Sequence, residues 1–397
     1  MPSEKNQLKL RVKKIFSHDY EVLFLEKKPD EFTAHAIDVR KKIGKGSHGC
    51  VYAAYPIDLA TMTLDKSKLM AAKKIMDIRT FNINEVKFFR RFYKNSDFGT
   101  IKSDAYVLMD YLPGSQLYTI TKDGSASLSS AIKKLNFSQR IQLIWNIMLS
   151  VNLMHHDTPS TGGALIHSDL NGTNIIADIN PDTNTFDAYL LDFAVASDIN
   201  DDPDEIKSNQ PMEGSMAYMP CEILSEKRGI KSDIYALAPV FLIILGAKHP
   251  FSYKAQHFFL KKDYYESSYC FDGIFTGYDV PRFEPNVLSY LRGFIGQMQQ
   301  KKYADRPDSD TTLRFFTTLN NFCKCAMLGR EDNTNYVRAA TLALLAKGMG
   351  MPAYLDADLD AHIQFCKDVL NCSRLTAGEL EGLLQKHCIT KPLLSCA

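Results

Sequence analysis

The segment Ile43-Gly-Lys-Gly-Ser-His-Gly-Cys-Val51 places glycines at 44, 46 and 49 and a valine, Val51, two residues further on. A backbone that must lie against phosphate oxygens needs residues without side chains, because its N–H groups can then approach unobstructed. Dinucleotide-binding chains use the same glycine spacing where a strand opens directly into a helix. Here both flanks, residues 38–43 and 50–55, read as strands, so the loop is expected to fold over phosphates from a strand-loop-strand unit. Lys73 ends the apolar run Met70-Ala71-Ala72 and could hold phosphate oxygens by charge-assisted hydrogen bonds if a carboxylate positioned it. The amphipathic segment 84–93 is expected to be a helix, and Glu85, its only acidic residue, is the natural partner. Lys74 is the alternative, although strand alternation turns it to the opposite face. Further on, residues 165–176 contribute His167, Asp169 and Asn174 at short fixed spacing, and Asp192 follows the apolar run Tyr189-Leu-Leu.

The H-x-D-L-x-x-x-N spacing of His167, Asp169, Leu170 and Asn174, followed by Asp192-Phe-Ala, resembles the eukaryotic-like protein kinases. With the glycine loop and the Lys73 strand, the resemblance covers about three quarters of the chain. It implies an α+β fold of two lobes, a small antiparallel-sheet N-lobe and a large helical C-lobe, in whose cleft four distant segments meet one Mg·ATP. In that frame Asp169 accepts or orients the proton of the attacking hydroxyl, while Asn174 and Asp192 hold Mg²⁺ or Mn²⁺. Lys73 clamps the α and β phosphates and Glu85 sets Lys73. The stretch from Tyr106 to Gly114 resembles the hinge, with Met109 at the gatekeeper position and main-chain groups of Asp110 and Leu112 meeting adenine. Gly44, Gly46, Gly49, Val51 and Ala71 complete the implied nucleotide site, and Phe89, His167 and Phe193 are expected in an internal apolar spine.

Three residues depart from the family pattern. Ser168 stands where many kinases carry arginine, so activation by a phosphate pairing with that arginine is not supported. Asn171 replaces a lysine and removes a positive group from the γ phosphate. Ala194 replaces the glycine of Asp-Phe-Gly, and its Cβ is expected to restrict the base of the activation segment. Small-molecule kinases share a similar catalytic loop, but two later motifs resemble protein kinases. Gly214-Ser-Met-Ala-Tyr-Met-Pro-Cys-Glu222 is similar to the end of an activation segment, with Ser215 touching the catalytic aspartate and Glu222 ending Ala-Pro-Glu. The stretch from Lys231 to Ala238 is similar to the helix whose aspartate, Asp233, braces the catalytic loop, and Arg306 is the implied ion-pair partner of Glu222.

Four zones must position these residues: an N-terminal extension at 1–36, an N-lobe at 37–112, a C-lobe at 113–330, and a C-terminal helical module of three short helices at 331–397. A length of 397 residues exceeds one ordinary core, consistent with several units. The net charge of +1 gives no overall drive toward nucleic acid, although basic pairs and the tail offer contacts for a membrane surface or a host factor. The nine scattered cysteines lack disulfide or metal spacing and point to a reducing compartment. No apolar run is long enough to span a membrane.

The residues together imply an ATP-dependent protein kinase, soluble and cytosolic, acting on a protein Ser/Thr hydroxyl. Two other readings stay open: a small-molecule or lipid kinase, and a catalytically impaired pseudokinase that binds without turnover. The departures also resemble, in style, the divergent effector kinases that intracellular bacteria such as Legionella inject into host cells, which would make host proteins the substrates.

Overall fold

The structure, a computed structural model, describes residues 4–28, 31–46, 49–75, 78, 81–120, 126–156, 163–180, 183, 185–199, 205–208, 214–246 and 285–327, with single positions at 368, 382, 385 and 386. The expected helical module at 331–397 lies outside the described residues except for those four positions. Two compact units emerge. The first holds the described residues of Met1–Pro113 and Leu191–Ala196, the second those of Gly114–Thr158, Gly163–Leu190 and Ser197–Ala397.

In the first unit, helix α1 (Glu4–Phe16) precedes strands β1 (Glu21–Lys28), β2 (Glu31–Gly46), β3 (Gly49–Asp58), β4 (Thr63–Leu64) and β5 (Met70–Ile75). Helix α2 (Asn84–Phe92) and strands β6 (Ser96–Ile101) and β7 (Asp104–Asp110) follow. The strands form one antiparallel sheet in the order β1-β2-β3-β5-β7-β6, with β4 on β3. Period-two alternation separates two apolar clusters. Leu23, Leu25, Ile37, Ala54, Ala72, Tyr106 and Leu108 make one. Val22, Phe32, Ala34, Ala36 and Ile57 make the other, together with Val12 and Phe16 of α1. Burying two such side chains contributes about 1.5–3 kcal/mol each. The stretch expected as an N-terminal extension is thus built into this sheet, and β2 runs straight through the expected boundary at 36/37. The reason lies in β2, whose alternate apolar residues serve α1 at one end and the sheet cluster at the other.

The second unit opens with β8 (Ser115–Gln116), β9 (Tyr118–Ile120), β10 (Ala126–Leu128), α3 (Ser130–Lys133) and α4 (Phe137–His155). Strands β11 (Ala164–Ile166), β12 (Ile175–Asn180), β13 (Thr185–Leu190) and β14 (Ser197–Ile199) form short ladders: β9 with β10, β11 with β14, and β8-β12-β13. Helices α5 (Ile230–Ile244), α6 (Pro285–Met298) and α7 (Ser309–Met327) complete it. A capping box starts α4, in which Gln139 N donates to Asn136 Oδ1 at 2.9 Å and Asn136 N to Gln139 Oε1 at 3.1 Å. Helix α5 is buried along its whole length, Lys231, Ser232 and Asp233 included, so these polar groups need internal partners. Asp233 finds its partners in the loop that follows β11, Ser232 donates to Glu222 and Lys231 to the Ala304 carbonyl.

Candidate active site

The lysine strand sits within the first unit's sheet. Val51 pairs with Lys73, and Ala71 pairs with Met109. Because Ala71 and Lys73 are two residues apart, all four side chains share one face. Lys74 turns to the other face, where its ammonium meets Asp104 at 2.5 Å. Gly44 and Gly46 lie at the end of β2, and Gly49 opens β3. A Cβ on Gly49 would come within 2.1 Å of the Lys74 carbonyl oxygen, so only glycine lets β3 approach β5 there. Lys73 is buried, and its Nζ donates to Glu85 Oε1 at 2.6 Å and to Asp192 Oδ1 at 3.1 Å. Burial pulls the ammonium down, but the carboxylates of Asp192 and Glu85 outweigh it and hold its pKa above the ordinary lysine value. Glu85, 5% exposed, stands in the first turn of α2 beside buried Val86, Phe88 and Phe89.

Asp192 takes the left-handed conformation, φ 62° and ψ 65°, and enters a tight turn at Phe193–Val195. Phe193 is fully buried, edge-on to Phe89 and stacked on Phe92 with ring centres 5.4 Å apart. Asn82 Nδ2 donates to the Ala194 carbonyl at 2.8 Å. Ala194 keeps a negative φ, so the side chain that replaces glycine is accommodated rather than strained. At the hinge stretch, the Asp110 carboxylate accepts from Asn95 N and Nδ2, both at 2.8 Å, and the half-buried Leu112 follows β7.

The second unit carries the other group. Asp233 of α5, 1% exposed, accepts from His167 N at 2.7 Å and Ser168 N at 2.9 Å, and lies 3.0 Å from His155 Nε2. Two backbone amides of the loop after β11 are thereby fixed by one buried carboxylate. His167 is itself fully buried, and its Nδ1 accepts from Asp169 N at 3.3 Å. Asp169 Oδ1 accepts from Ser215 N at 2.6 Å, and Asp169 Oδ2 from Asn174 Nδ2 at 2.9 Å. Asn171 Nδ2 lies 3.3 Å from Asp169 Oδ1 and 3.0 Å from Ser215 Oγ. Gly214, at φ +111°, lets the chain pass over Ser168 and Asp169. Glu222 and Arg306 form a two-pronged pair, Nη1 to Oε1 at 2.5 Å and Nη2 to Oε2 at 2.8 Å, and Ser232 Oγ adds a donor to Oε1 at 2.8 Å. Beside it, burial pushes the Cys221 thiol up.

A buried lysine held by two carboxylates, and a loop aspartate held against an aspartate-braced backbone, are the parts of one known design. The family model described as protein kinase domain matches residues 37–315. The chain belongs to the protein kinase family. Curated relatives of this kinase include a serine/threonine-protein kinase-like protein of Arabidopsis thaliana, 24% identical over 55% of this chain and 57% of its own length. A probable receptor-like protein kinase of the same plant is 26% identical over 53% of this chain and 24% of its own length. A receptor-like protein kinase of Ipomoea nil is 24% identical over 52% of this chain and 18% of its own length. The kinase therefore spans little more than half of the first of these relatives and a quarter or less of the other two.

Kinases act on ATP with a divalent metal, and the oxygen donors present fit a hard cation. Asn174 turns its amide nitrogen to Asp169, which leaves its amide oxygen as an acceptor of the type that a hard cation would take. Asp192 offers a carboxylate. Among the described residues no cluster of three or more His, Cys, Asp or Glu could hold a metal ion. Among the described residues no helix is long and apolar enough to cross a membrane.

Motif spacing did not reveal three residues around this kinase's loop. His155 closes α4 against Asp233. Arg228 donates through Nη1 to the Ser168 carbonyl at 2.9 Å. Tyr118 accepts from Gly172 N at 3.0 Å while its hydroxyl meets that of Tyr218 at 2.5 Å. Each acts only through tertiary contact, and the one sequence signal is the two adjacent histidines at the end of an apolar helix.

Proposed function

We propose that this kinase transfers the γ-phosphoryl group of Mg·ATP to a serine or threonine hydroxyl of a protein. The substrate oxygen bonds to the γ phosphorus, the bond from that phosphorus to the β–γ bridging oxygen breaks, and ADP leaves. Asp169 accepts the hydroxyl proton. Lys73, set by Glu85, holds the α and β phosphates, and main-chain groups of Asp110 and Leu112 receive adenine beside Met109, Val51 and Ala71. Asn174 and Asp192 would hold the metal, which when bound offsets charge on the phosphate oxygens. The observation that carries the reading toward protein substrates is Ser215 N on Asp169 Oδ1 at 2.6 Å, in a segment anchored by Glu222 and Arg306. That arrangement supports a substrate platform built around the catalytic aspartate. The serine/threonine assignment draws on the similarity to the serine/threonine-protein kinase-like protein of Arabidopsis thaliana.

The divisions at 112/113 and 330/331 are part of the same proposal, as is work in a reducing cytosol. The effector reading, with host proteins as substrates, draws on Ser168, Asn171 and Ala194. The test is to incubate the purified chain with labelled ATP, generic protein substrates and eukaryotic lysate, beside Asp192→Ala. Label on serine or threonine, lost in the variant, is expected. Label confined to metabolites or lipids would make this a small-molecule kinase. ATP binding without turnover in either metal would make it a pseudokinase.

A further inference from the structure

Ser168 and Arg228 acquire a joint meaning in the second unit. Arg228 is 2% exposed although its guanidinium stays charged at every accessible pH. Such a group is kept inside only against strong acceptors. One of them is the Ser168 carbonyl, at 2.9 Å from Nη1. Ser168 sits at φ +70°, a conformation an L residue holds only when its surroundings enforce it. Enforcement comes from two sides, since Asp233 accepts from the Ser168 N–H while Arg228 donates to the Ser168 carbonyl. The backbone of Arg228 does a second job. Lys207 N donates to Arg228 O at 2.7 Å and Arg228 N to Lys207 O at 3.0 Å, a two-bond bridge to the segment that runs from Asp192 to Glu222. Ser168, Asp169, Ser215, Arg228 and Asp233 line one crevice.

A kinase with arginine beside its catalytic aspartate can fasten the activation segment to the catalytic loop through a phosphate. Here the side chain at 168 is too short for that, and an arginine from another part of the chain touches the same peptide. We infer that Arg228 is a positioning residue that clamps the activation segment to the catalytic loop, so that this kinase needs no phosphate on that segment. A neutral carbonyl and a backbone bridge replace the phosphate. The clamp therefore stays closed whatever the phosphorylation state.

The activity arm of the test rests on the proposed phosphoryl transfer, and the exchange arm does not. The full chain, treated with phosphatase until mass spectrometry finds no phosphate, is assayed beside Arg228→Met and Arg228→Lys. Dephosphorylated wild type should keep its turnover within about two-fold. Arg228→Met should lose about ten-fold or more in kcat with KM for ATP nearly unchanged, and Arg228→Lys should recover part of the loss, because one donor still reaches the carbonyl. Amide exchange should accelerate together at Lys207 and at His167 and Ser168 in Arg228→Met. If that variant fails to fold, the same joint acceleration, smaller in size, is read in Arg228→Lys. Loss of turnover on phosphatase treatment, unchanged kcat in Arg228→Met, or exchange that changes at one segment alone would each overturn the clamp. A wild type inactive before phosphatase treatment would instead count against the transfer reading, and exchange would still decide the clamp.

Discussion

Lys73 and Asp169 are both charged groups kept in place by the fold, and the two units hold them by opposite means. Lys73 is buried among charges, with carboxylates of Glu85 and Asp192 at 2.6 and 3.1 Å. Among the described residues, Asp169 is held only by neutral donors: the Ser215 amide and the side-chain amides of Asn171 and Asn174. For Lys73 the charge of the two carboxylates offsets the hydration that its ammonium loses on burial. The first unit thus holds its charged group with opposite charge, and the second with neutral donors.

Four substitutions probe that contrast, in descending order of expected effect. Lys73→Met strands Glu85 and removes the proposed phosphate clamp, so kcat/KM should fall by about 10²–10³-fold, measured in steady state. Retention of activity within a few-fold would mean that another group holds the phosphates. Arg306→Met leaves Glu222 without its pair and should destabilise the second unit by about 3–5 kcal/mol, read from denaturant unfolding. An unchanged midpoint would show that Ser232 alone satisfies the carboxylate.

His35 supplies the uncompensated case within the first unit. Burial lowers its pKa to about 4 from 6.5. Because the folded value lies below the unfolded one, its contribution to stability is present above about pH 6.5 and is lost as pH falls toward 4, by about 1–3 kcal/mol. His35→Phe should flatten that part of the stability profile, and a variant as acid-sensitive as wild type would remove His35 from the account. The smallest effect is expected from Asn171→Lys. A restored cation near the γ phosphate should raise kcat by a few-fold, whereas a decrease would show that the neutral surroundings of Asp169 matter more.

The contrast between the units also explains which features the sequence disclosed. The segment 84–93 read as a helix because its apolar residues recur with helical period, and α2 spans Asn84–Phe92. The contact of Lys73 with Glu85 was readable because that helix holds a single acidic residue, and that of Glu222 with Arg306 was implied by the resemblance to protein kinases. Neutral contacts leave no such trace. Asn171 read only as a lost lysine, yet its amide reaches both Asp169 and Ser215. Arg228 follows no motif, and its acceptor is a backbone carbonyl that no side-chain pattern encodes. Helix α1 was hidden for a different reason, since lysines at 5, 9, 13 and 14 mask the spacing of Leu8, Val12 and Phe16.

The most direct test of the account compares ATP affinity with phosphoryl transfer in Asp169→Asn. Removing the proton acceptor from the second unit should leave the Kd for Mg·ATP within about two-fold of wild type and lower transfer to protein by about 10²–10⁴-fold. A variant that labels protein at the wild-type rate would contradict the account, because the group assigned to the proton would then be dispensable.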